Sequence, residues 1–293
     1  MHVFLTGATG WVGAKVAEVL LAAGHQVSGL ARNEEKAQAF IAAGGKVVYG
    51  TLDDSQLLFD AAAKADAVIH TAFNHDFSRF AENCAQDERA ITVMGDALRG
   101  SSRPLLVTSG LARLVAGRPA TEEDAPASGP DYLRRSEQAA LALAQQGVKA
   151  ACVRLAPTVH GVGDRGFVPF LIALAKQSGV SAWQEDGSNR WAAVHRNDAA
   201  NVYRLALESG VTQPVYHAVA EEGIAMREIA IAIGKMLGVP AEPREASHFG
   251  WFAGFAGMEM SASSEQTRRT LGWQPAGRDL LTDLHDTDYY VNS

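Results

Sequence analysis

The first residues of the chain constrain its fold more than any later stretch. They read Met1-His2-Val3-Phe4-Leu5-Thr6-Gly7-Ala8-Thr9-Gly10-Trp11-Val12-Gly13. Val3 to Leu5 is a short apolar run, the pattern of a strand buried on both faces. Glycines follow at positions 7, 10 and 13. From Ala14 to Leu21 the residues are good helix formers. The order is therefore strand, glycine turn, helix. Gly7 permits a tight turn, and Gly10 presents no Cβ to an approaching phosphate. Gly13 lets the helix lie close to the sheet. Free N–H groups at the positive end of that helix suit a pyrophosphate. This predicts a dinucleotide cradled by Gly7, Thr9, Gly10, Trp11, Val12 and Gly13; the alternative is a turn whose glycines serve packing alone.

The rest of the composition narrows the classes. With 293 residues, 47% hydrophobic, the chain can build one large core, or a main domain with a smaller lobe. The net charge of -7 and the lack of a long basic run argue against nucleic acid or an anionic membrane as partner. No apolar run approaches the roughly 20 residues that span a bilayer. The opening strand is too short, and too soon followed by glycines, for a signal peptide. Cys84 and Cys152 read as reduced thiols of a cytoplasmic protein. No pair of histidines has zinc-helix spacing, so no metal is expected.

Thr6-Gly7-Ala8-Thr9-Gly10-Trp11-Val12-Gly13 resembles the cofactor loop of the extended or atypical short-chain dehydrogenase/reductases, the NAD-dependent epimerase/dehydratase-like family. The two-domain dehydrogenases use a different G-x-G-x-x-G spacing. The resemblance implies an α/β fold of Rossmann type, a doubly wound parallel sheet with a small C-terminal substrate lobe. Residues 1–157 would form the dinucleotide-binding domain. Residues 158–293 would form mainly the substrate lobe, with 190–217 returning to the main sheet.

The second strand, ending at Leu30-Ala31, bears on cofactor choice. An acidic residue there would bind the ribose hydroxyls of NAD. This chain has Arg32 and then Asn33, with Lys36 a helical turn further on. A guanidinium suits a phosphate in bidentate geometry, so the expectation is NADP(H) over NAD(H); the other reading of Arg32 is an exposed arginine before a helix. After the third strand comes Thr51-Leu52-Asp53-Asp54. The resemblance would put an adenine-binding aspartate where Thr51 stands, which leaves a backbone contact from Leu52. Asp53 and Asp54 read as caps of the next helix. Asp66-Ala67-Val68-Ile69-His70-Thr71-Ala72 resembles the family's fourth strand. That likeness implies ribose and phosphates passing over Thr71 and Ala72, with His70 supporting the strand end. Residues 77–100 read as one amphipathic helix, which the resemblance would place in a homodimer interface.

The family's chemistry uses a hydroxyl on the substrate carbonyl, a tyrosine that moves the proton, and a lysine four residues later. On a helix that spacing places both side chains on one face, and the cation lowers the phenol pKa. Here the hydroxyl position matches Gly110, with Ser109 just before it. If Tyr132 is the tyrosine, Ser136 stands in the lysine's place. If Ser136-Glu137 is matched to the family's Ser-Lys, the tyrosine becomes Leu133. Neither alignment restores the pair. Tyr132 and Ser109 remain the candidates, with Arg135 as a nearby cation; otherwise Tyr132 only opens a helix.

Arg154-Leu155-Ala156-Pro157-Thr158-Val159-His160-Gly161 resembles the sixth strand and its turn. The likeness implies that Pro157, Thr158 and Val159 meet the nicotinamide carboxamide. His160 replaces a tyrosine, either as a third catalytic candidate or as a turn residue. Asp198 reads as a helix cap. Trp183, Trp191, Trp251 and Trp273, with Phe249, Phe252 and Phe255, would form either an aromatic substrate pocket or the core of the small lobe. No arginine cluster suited to a diphosphate is evident there. The expected function is an NADP(H)-dependent oxidoreductase that moves hydride to or from a small, partly apolar carbonyl or alcohol, the redox chemistry being the cofactor's. The alternatives are a catalytically degenerate NADP(H)-binding sensor and a nucleotide-sugar epimerase/dehydratase-like enzyme.

Overall fold

Strands and helices alternate from the N-terminus of the computed structural model, which describes residues 1–129 and 132–290. The run is β1 (His2–Thr6), α1 (Trp11–Ala22), β2 (Gln26–Ala31), α2 (Glu34–Ala42), β3 (Lys46–Tyr49), α3 (Ser55–Ala63), β4 (Ala67–His70), α4 (Phe80–Asp96), β5 (Pro104–Gly110), α5 (Ser136–Gln145) and β6 (Lys149–Leu155). It continues with β7 (Thr158–His160), α6 (Phe167–Ser178), β8 (Ser181–Trp183), β9 (Arg190–His195), α7 (Arg196–Glu208), β10 (Val215–Ala218), β11 (Glu221–Ala225), α8 (Met226–Leu237) and β12 (Ala241–Pro243). The last helices are α9 (Ala253–Ala256), α10 (Glu265–Leu271) and α11 (Leu280–Leu284).

These elements form two units. The first comprises Met1–Ser109, Pro126–Arg154 and Ala200–Tyr216; the second comprises Gly110–Ala125, Leu155–Ala199 and His217 onward. In the first, seven strands lie in the order β10-β6-β5-β4-β1-β2-β3. β1 pairs in parallel with both β2 and β4, β2 with β3, and β4 with β5. Val3, Phe4, Leu5, Val68 and Ile69 are all buried, as strands covered by helices on both faces require. From β1 the chain winds outward through β2 and β3, then returns to β4 on the other side. The carboxyl ends of β1 and β4 thus flank the point where strand order reverses, the usual ligand crevice of such sheets.

The second unit has its own core around Trp191, Ile172, Phe249 and Phe252. It holds a three-stranded sheet, β11-β9-β7, and a β12-β8 pair. The doubly wound sheet and the separate small core agree with the fold expected from the sequence. The boundaries differ in detail. The loop 110–125 joins the second unit because Ala120 and Glu122 are held there. Ala120 N donates to Ser261 O at 2.9 Å, and Thr267 donates to Glu122 from both its backbone N and its hydroxyl.

Local expectations also needed correction. The long helix over 77–100 is a short 3-10 turn, Phe77–Arg79, followed by α4. Asp54 occupies the N-cap of α3 but does not cap it; its carboxylate turns back to accept from Thr51 N and Oγ1 at 2.6 and 2.9 Å. Asp198 does not cap a helix end. It lies inside the first turn of α7 and accepts from Gly277 N at 2.7 Å, tying down a loop far along the chain.

Candidate dinucleotide and proton-transfer site

The glycine turn is closed on its protein side and open on its solvent side. Gly7 is left-handed, with φ of 75°, and a Cβ there would lie 2.6 Å from Thr71 Oγ1. A Cβ on Gly13 would lie 2.1 Å from Gly7 O. Gly10 N donates to Gly7 O at 2.8 Å and closes the turn. Gly10 itself is the extended N-cap of α1; no side chain caps that helix and its first turn carries no acid. Thr9 and Gly10 are exposed. An anion can therefore reach the helix N-terminus without displacing a side chain. Thr71 braces the far wall, its hydroxyl donating to Thr6 O at 2.8 Å.

Arg32 stands exposed just beyond β2, and among the described residues no hydrogen bond or ion pair engages it. Asn33 caps α2 by accepting from Lys36 N at 3.0 Å. Thr51 is committed to Asp54, so its side chain is spoken for, while Leu52 is half-buried beside it.

Behind β4 runs a chain of buried polar groups. His70 Nδ1 lies 2.7 Å from Thr6 Oγ1, and its Nε2 lies 2.9 Å from Asp87 Oδ1. An ionised Asp87 can only accept, so Nε2–H donates to it. The second Asp87 oxygen accepts the hydroxyl of Ser136 at 2.5 Å. Burial would raise the Asp87 carboxyl, but hydrogen bonds and charge from His70, the charge of Arg134 and the Ser136 hydroxyl outweigh it and hold the group below its ordinary range. His70 thus supports the strand end, as expected.

Arg134 joins this chain from outside. Its Nε donates to Ser136 Oγ at 3.0 Å, its Nη2 to Thr108 O at 3.2 Å, and its guanidinium carbon lies 4.4 Å from the centre of the Phe73 ring. The residue after Thr108 is Ser109, a buried side chain near the end of β5. Of the three catalytic candidates, Ser109 and Tyr132 belong to the first unit and His160 to the second. Burial pushes the Tyr132 phenol above its usual range; Glu137 and Cys152 add to that, while Arg134 and the Ser109 hydroxyl pull it down.

Two sequence expectations change here. Tyr132 does not share a helix with position 136, because α5 begins only at Ser136. Nor is Arg135 the cation: it is exposed at the N-cap of α5, whereas Arg134 turns inward. Neither Arg134 nor Asp87 was singled out in the sequence. Asp87 did leave a signal. It sits in the stripe Cys84, Asp87, Ile91, Met94, an acid at core-facing spacing on an otherwise apolar face.

In the second unit, His160 is fully buried. Its Nδ1 donates to Asp283 Oδ2 at 2.7 Å, and its Nε2 lies 3.7 Å from Glu221, too far for a hydrogen bond. Burial would lower its pKa, but the two carboxylates reverse that and raise it. Thr158 is buried and Pro157 and Val159 are half-buried on the adjoining turn. Trp191, Phe249, Phe252 and Trp273 are core residues, each at most 2% exposed, while Trp251 is 57% exposed. The aromatic set is thus mainly the core of this unit. Among the described residues no cluster of His, Cys, Asp and Glu could hold a metal ion, and no helix is long and apolar enough to cross a membrane.

The model of the NAD dependent epimerase/dehydratase family matches residues 3–219. An uncharacterized protein of Schizosaccharomyces pombe is 46% identical over 295 residues, spanning 99% of this chain and 100% of that protein. A 4-hydroxy-2-methyl-3-oxo-4-farnesyl-3,4-dihydroquinoline-1-oxide ketoreductase of Stigmatella aurantiaca is 26% identical over 324 residues, spanning 95% and 92% of the two chains. Among solved structures, a dTDP-glucose 4,6-dehydratase from Streptomyces venezuelae with NAD and TYD bound superposes with a TM-score of 0.79 at 18% identity, covering 99% of this chain and 96% of that one. That last likeness is one of fold.

Proposed function

The chain belongs to the NAD-dependent epimerase/dehydratase family, and from that premise we propose that it is an NADP(H)-dependent oxidoreductase acting on a small, partly apolar carbonyl or alcohol. The observation that carries this reading is the open glycine turn, where exposed Thr9 and Gly10 leave the N-terminus of α1 without a side-chain cap. A bound nicotinamide would supply the hydride at its C4. The Tyr132 hydroxyl, kept protonated at neutral pH by burial, donates its proton to the carbonyl oxygen as the carbon is reduced. Ser109 orients the phenol and offers its own hydroxyl to the same oxygen. The reverse reaction returns the proton to Tyr132.

For the cofactor, Gly7, Thr9, Gly10, Trp11, Val12 and Gly13 would hold the pyrophosphate. Leu52 would meet the adenine, and Thr71 and Ala72 the ribose side. Pro157, Thr158 and Val159 are assigned to the carboxamide by resemblance to relatives. Among the described residues Arg32 has no acidic partner, and it would take the 2'-phosphate, which favours NADP(H). The Stigmatella aurantiaca relative is named a ketoreductase, which supports a carbonyl substrate.

The test is NADPH oxidation against a panel of ketones and aldehydes, beside calorimetric titration with NADPH and NADH. Turnover that falls about 10²-fold or more in Tyr132→Phe supports the proton donor. A preference for NADPH that vanishes in Arg32→Ala supports the phosphate contact. No affinity for either nucleotide would overturn the reading. Tight NADPH binding without turnover of any carbonyl would instead make this a dinucleotide-binding regulator, the reading that a serine at position 136 favours.

A further inference from the structure

A cation and a set of aromatic rings meet at the carboxyl ends of β4 and β5. These strands are neighbours in the sheet, with His70 opposite Val107. Thr71, Ala72 and Phe73 lead out of β4, and Thr108 stands near the end of β5. The glycine turn adjoins this place, because a Cβ on Gly7 would lie 2.8 Å from Ala72 N, and Phe73 is the next residue. Arg134 spans the two strand ends. Its guanidinium carbon is 4.4 Å from the centre of the Phe73 ring, and its Nη2 donates to Thr108 O at 3.2 Å. Its Nε donates to Ser136 Oγ at 3.0 Å.

We propose that Arg134 and the rings around Phe73 form a subsite for a substrate that carries a carboxylate on an aromatic ring, which narrows the carbonyl substrate of the oxidoreductase reading and rests on that reading. The guanidinium takes the carboxylate and the rings take the arene. Nε–H and one Nη2 hydrogen of Arg134 are spent on Ser136 and Thr108. Among the described residues the Nη1 hydrogens and the second Nη2 hydrogen have no partner, and no carboxylate pairs with the group. Asp87 lies one contact further back, with its oxygens taken by His70 and Ser136. Arg134 is half-buried. A cation held in place yet left with free donors suits an incoming carboxylate, which accepts parallel hydrogen bonds from such a fork.

The rings supply the apolar half. Phe73 meets His75 edge-on with centres 5.5 Å apart and Phe80 at 6.1 Å, and Phe77 stacks on Phe80 at 6.0 Å. They come from the loop after β4 and the start of α4, a segment that faces solvent: Phe77 is 38% exposed, and Phe73 and Phe80 are half-buried. Grouped apolar surface of this kind marks a binding site more often than chance exposure. The pairing of rings with a cation sets the class of ligand. A wholly apolar molecule lying here would cover the guanidinium donors without replacing their water. A wholly polar one would gain nothing from the rings. A planar arene with an anionic substituent satisfies both, through offset or edge-on ring contacts and charge-assisted hydrogen bonds.

The test uses the full chain with NADPH present and probes that need no turnover. Benzoate and benzamide share a ring and differ in charge; benzoate and cyclohexanecarboxylate share the charge and differ in the ring. NMR titrations should give benzoate a dissociation constant about tenfold below that of benzamide and about threefold below that of cyclohexanecarboxylate. Arg134→Gln should remove the preference over benzamide, and Arg134→Lys, which keeps the charge, should retain part of it. Phe73→Leu should remove the preference over cyclohexanecarboxylate and serves if Arg134→Gln does not fold. In turnover, 4-formylbenzoate should exceed benzaldehyde about tenfold in kcat/KM, and Arg134→Gln should abolish the difference. Equal binding of benzoate and benzamide to wild type overturns the inference, as does a benzoate affinity that ignores Arg134→Gln. A variant Arg134→Gln that loses affinity for NADPH and keeps it for benzoate makes Arg134 a cofactor contact, which also overturns it. If the benzoate preference depends on Arg134 while no carbonyl is turned over, the oxidoreductase reading fails and the subsite stands.

Discussion

Alanine at Gly10 and at Gly13 should separate cofactor binding from packing. At Gly13 the new Cβ would sit 2.1 Å from Gly7 O and 2.5 Å from Thr71 Oγ1. The first neighbour is backbone and cannot rotate away, so α1 must retreat by roughly an ångström or more to reach van der Waals contact. Overpacking of this kind costs about 1–3 kcal/mol, against which a helical Gly→Ala change returns at most about 1 kcal/mol. A net loss of about 1–2 kcal/mol corresponds to a fall of roughly 2–8 °C in melting temperature. At Gly10 the same methyl group would meet only Gly7 O, at 3.2 Å, and the residue's φ of -84° suits alanine. Loss of a glycine N-cap should cost less than about 1 kcal/mol. The methyl group would, however, stand on the open face where the proposed phosphate contact lies. A tenfold weaker dinucleotide affinity, about 1.4 kcal/mol, is the expected minimum. Thermal melts without ligand and calorimetric titrations with NADPH measure the two effects. If Gly10→Ala binds NADPH as tightly as wild type, no phosphate passes over Gly10. If Gly13→Ala melts with wild type, the close helix–strand approach is not present.

Three further outcomes follow from buried charge. Glu137→Gln leaves Arg154 buried without its carboxylate, and denaturant unfolding should show a loss of about 3–5 kcal/mol; the exposed pair Arg79–Glu82, broken in the same way, should cost under about 1 kcal/mol. Because the folded-state pKa of His160 is raised, its stabilising effect is complete below its ordinary value near 6.5 and fades as pH rises through the folded value. Hydrogen exchange in β7 and α11 should therefore quicken as pH rises through that window, after correction for intrinsic exchange, and His160→Gln should abolish the effect. Asp87 has the opposite sign. Its pKa is lowered, so its contribution holds above about pH 4 and is lost as pH falls through the folded value. Asp87→Asn should cost about 1–3 kcal/mol at neutral pH and flatten the acid limb of the stability curve; an unchanged acid limb would show that Asp87 is not ionised in the folded protein.

The alternation of strands and helices, the glycine turn and the family resemblance were legible in the sequence because each depends on neighbours a few residues apart. Val3 to Leu5 reads as a doubly covered strand from its own composition. Gly7 and Gly13 are explained by backbone that the turn itself brings close, with Thr71 as the second wall. Arg32 could be placed at the end of β2 by counting. The buried polar chain behind β4 could not be read this way. Its members lie far apart in sequence: Thr6 and His70 are separated by 64 residues, His70 and Asp87 by 17, and Asp87 and Ser136 by 49. Which arginine turns inward was settled by where α5 starts and by the Thr108 carbonyl, not by spacing from Tyr132. Likewise the aromatic residues of the second half are equally apolar in either role, and only burial against one another made most of them core. Local periodicity determines which elements form, whereas burial of a charge is decided by what the folded chain places opposite it.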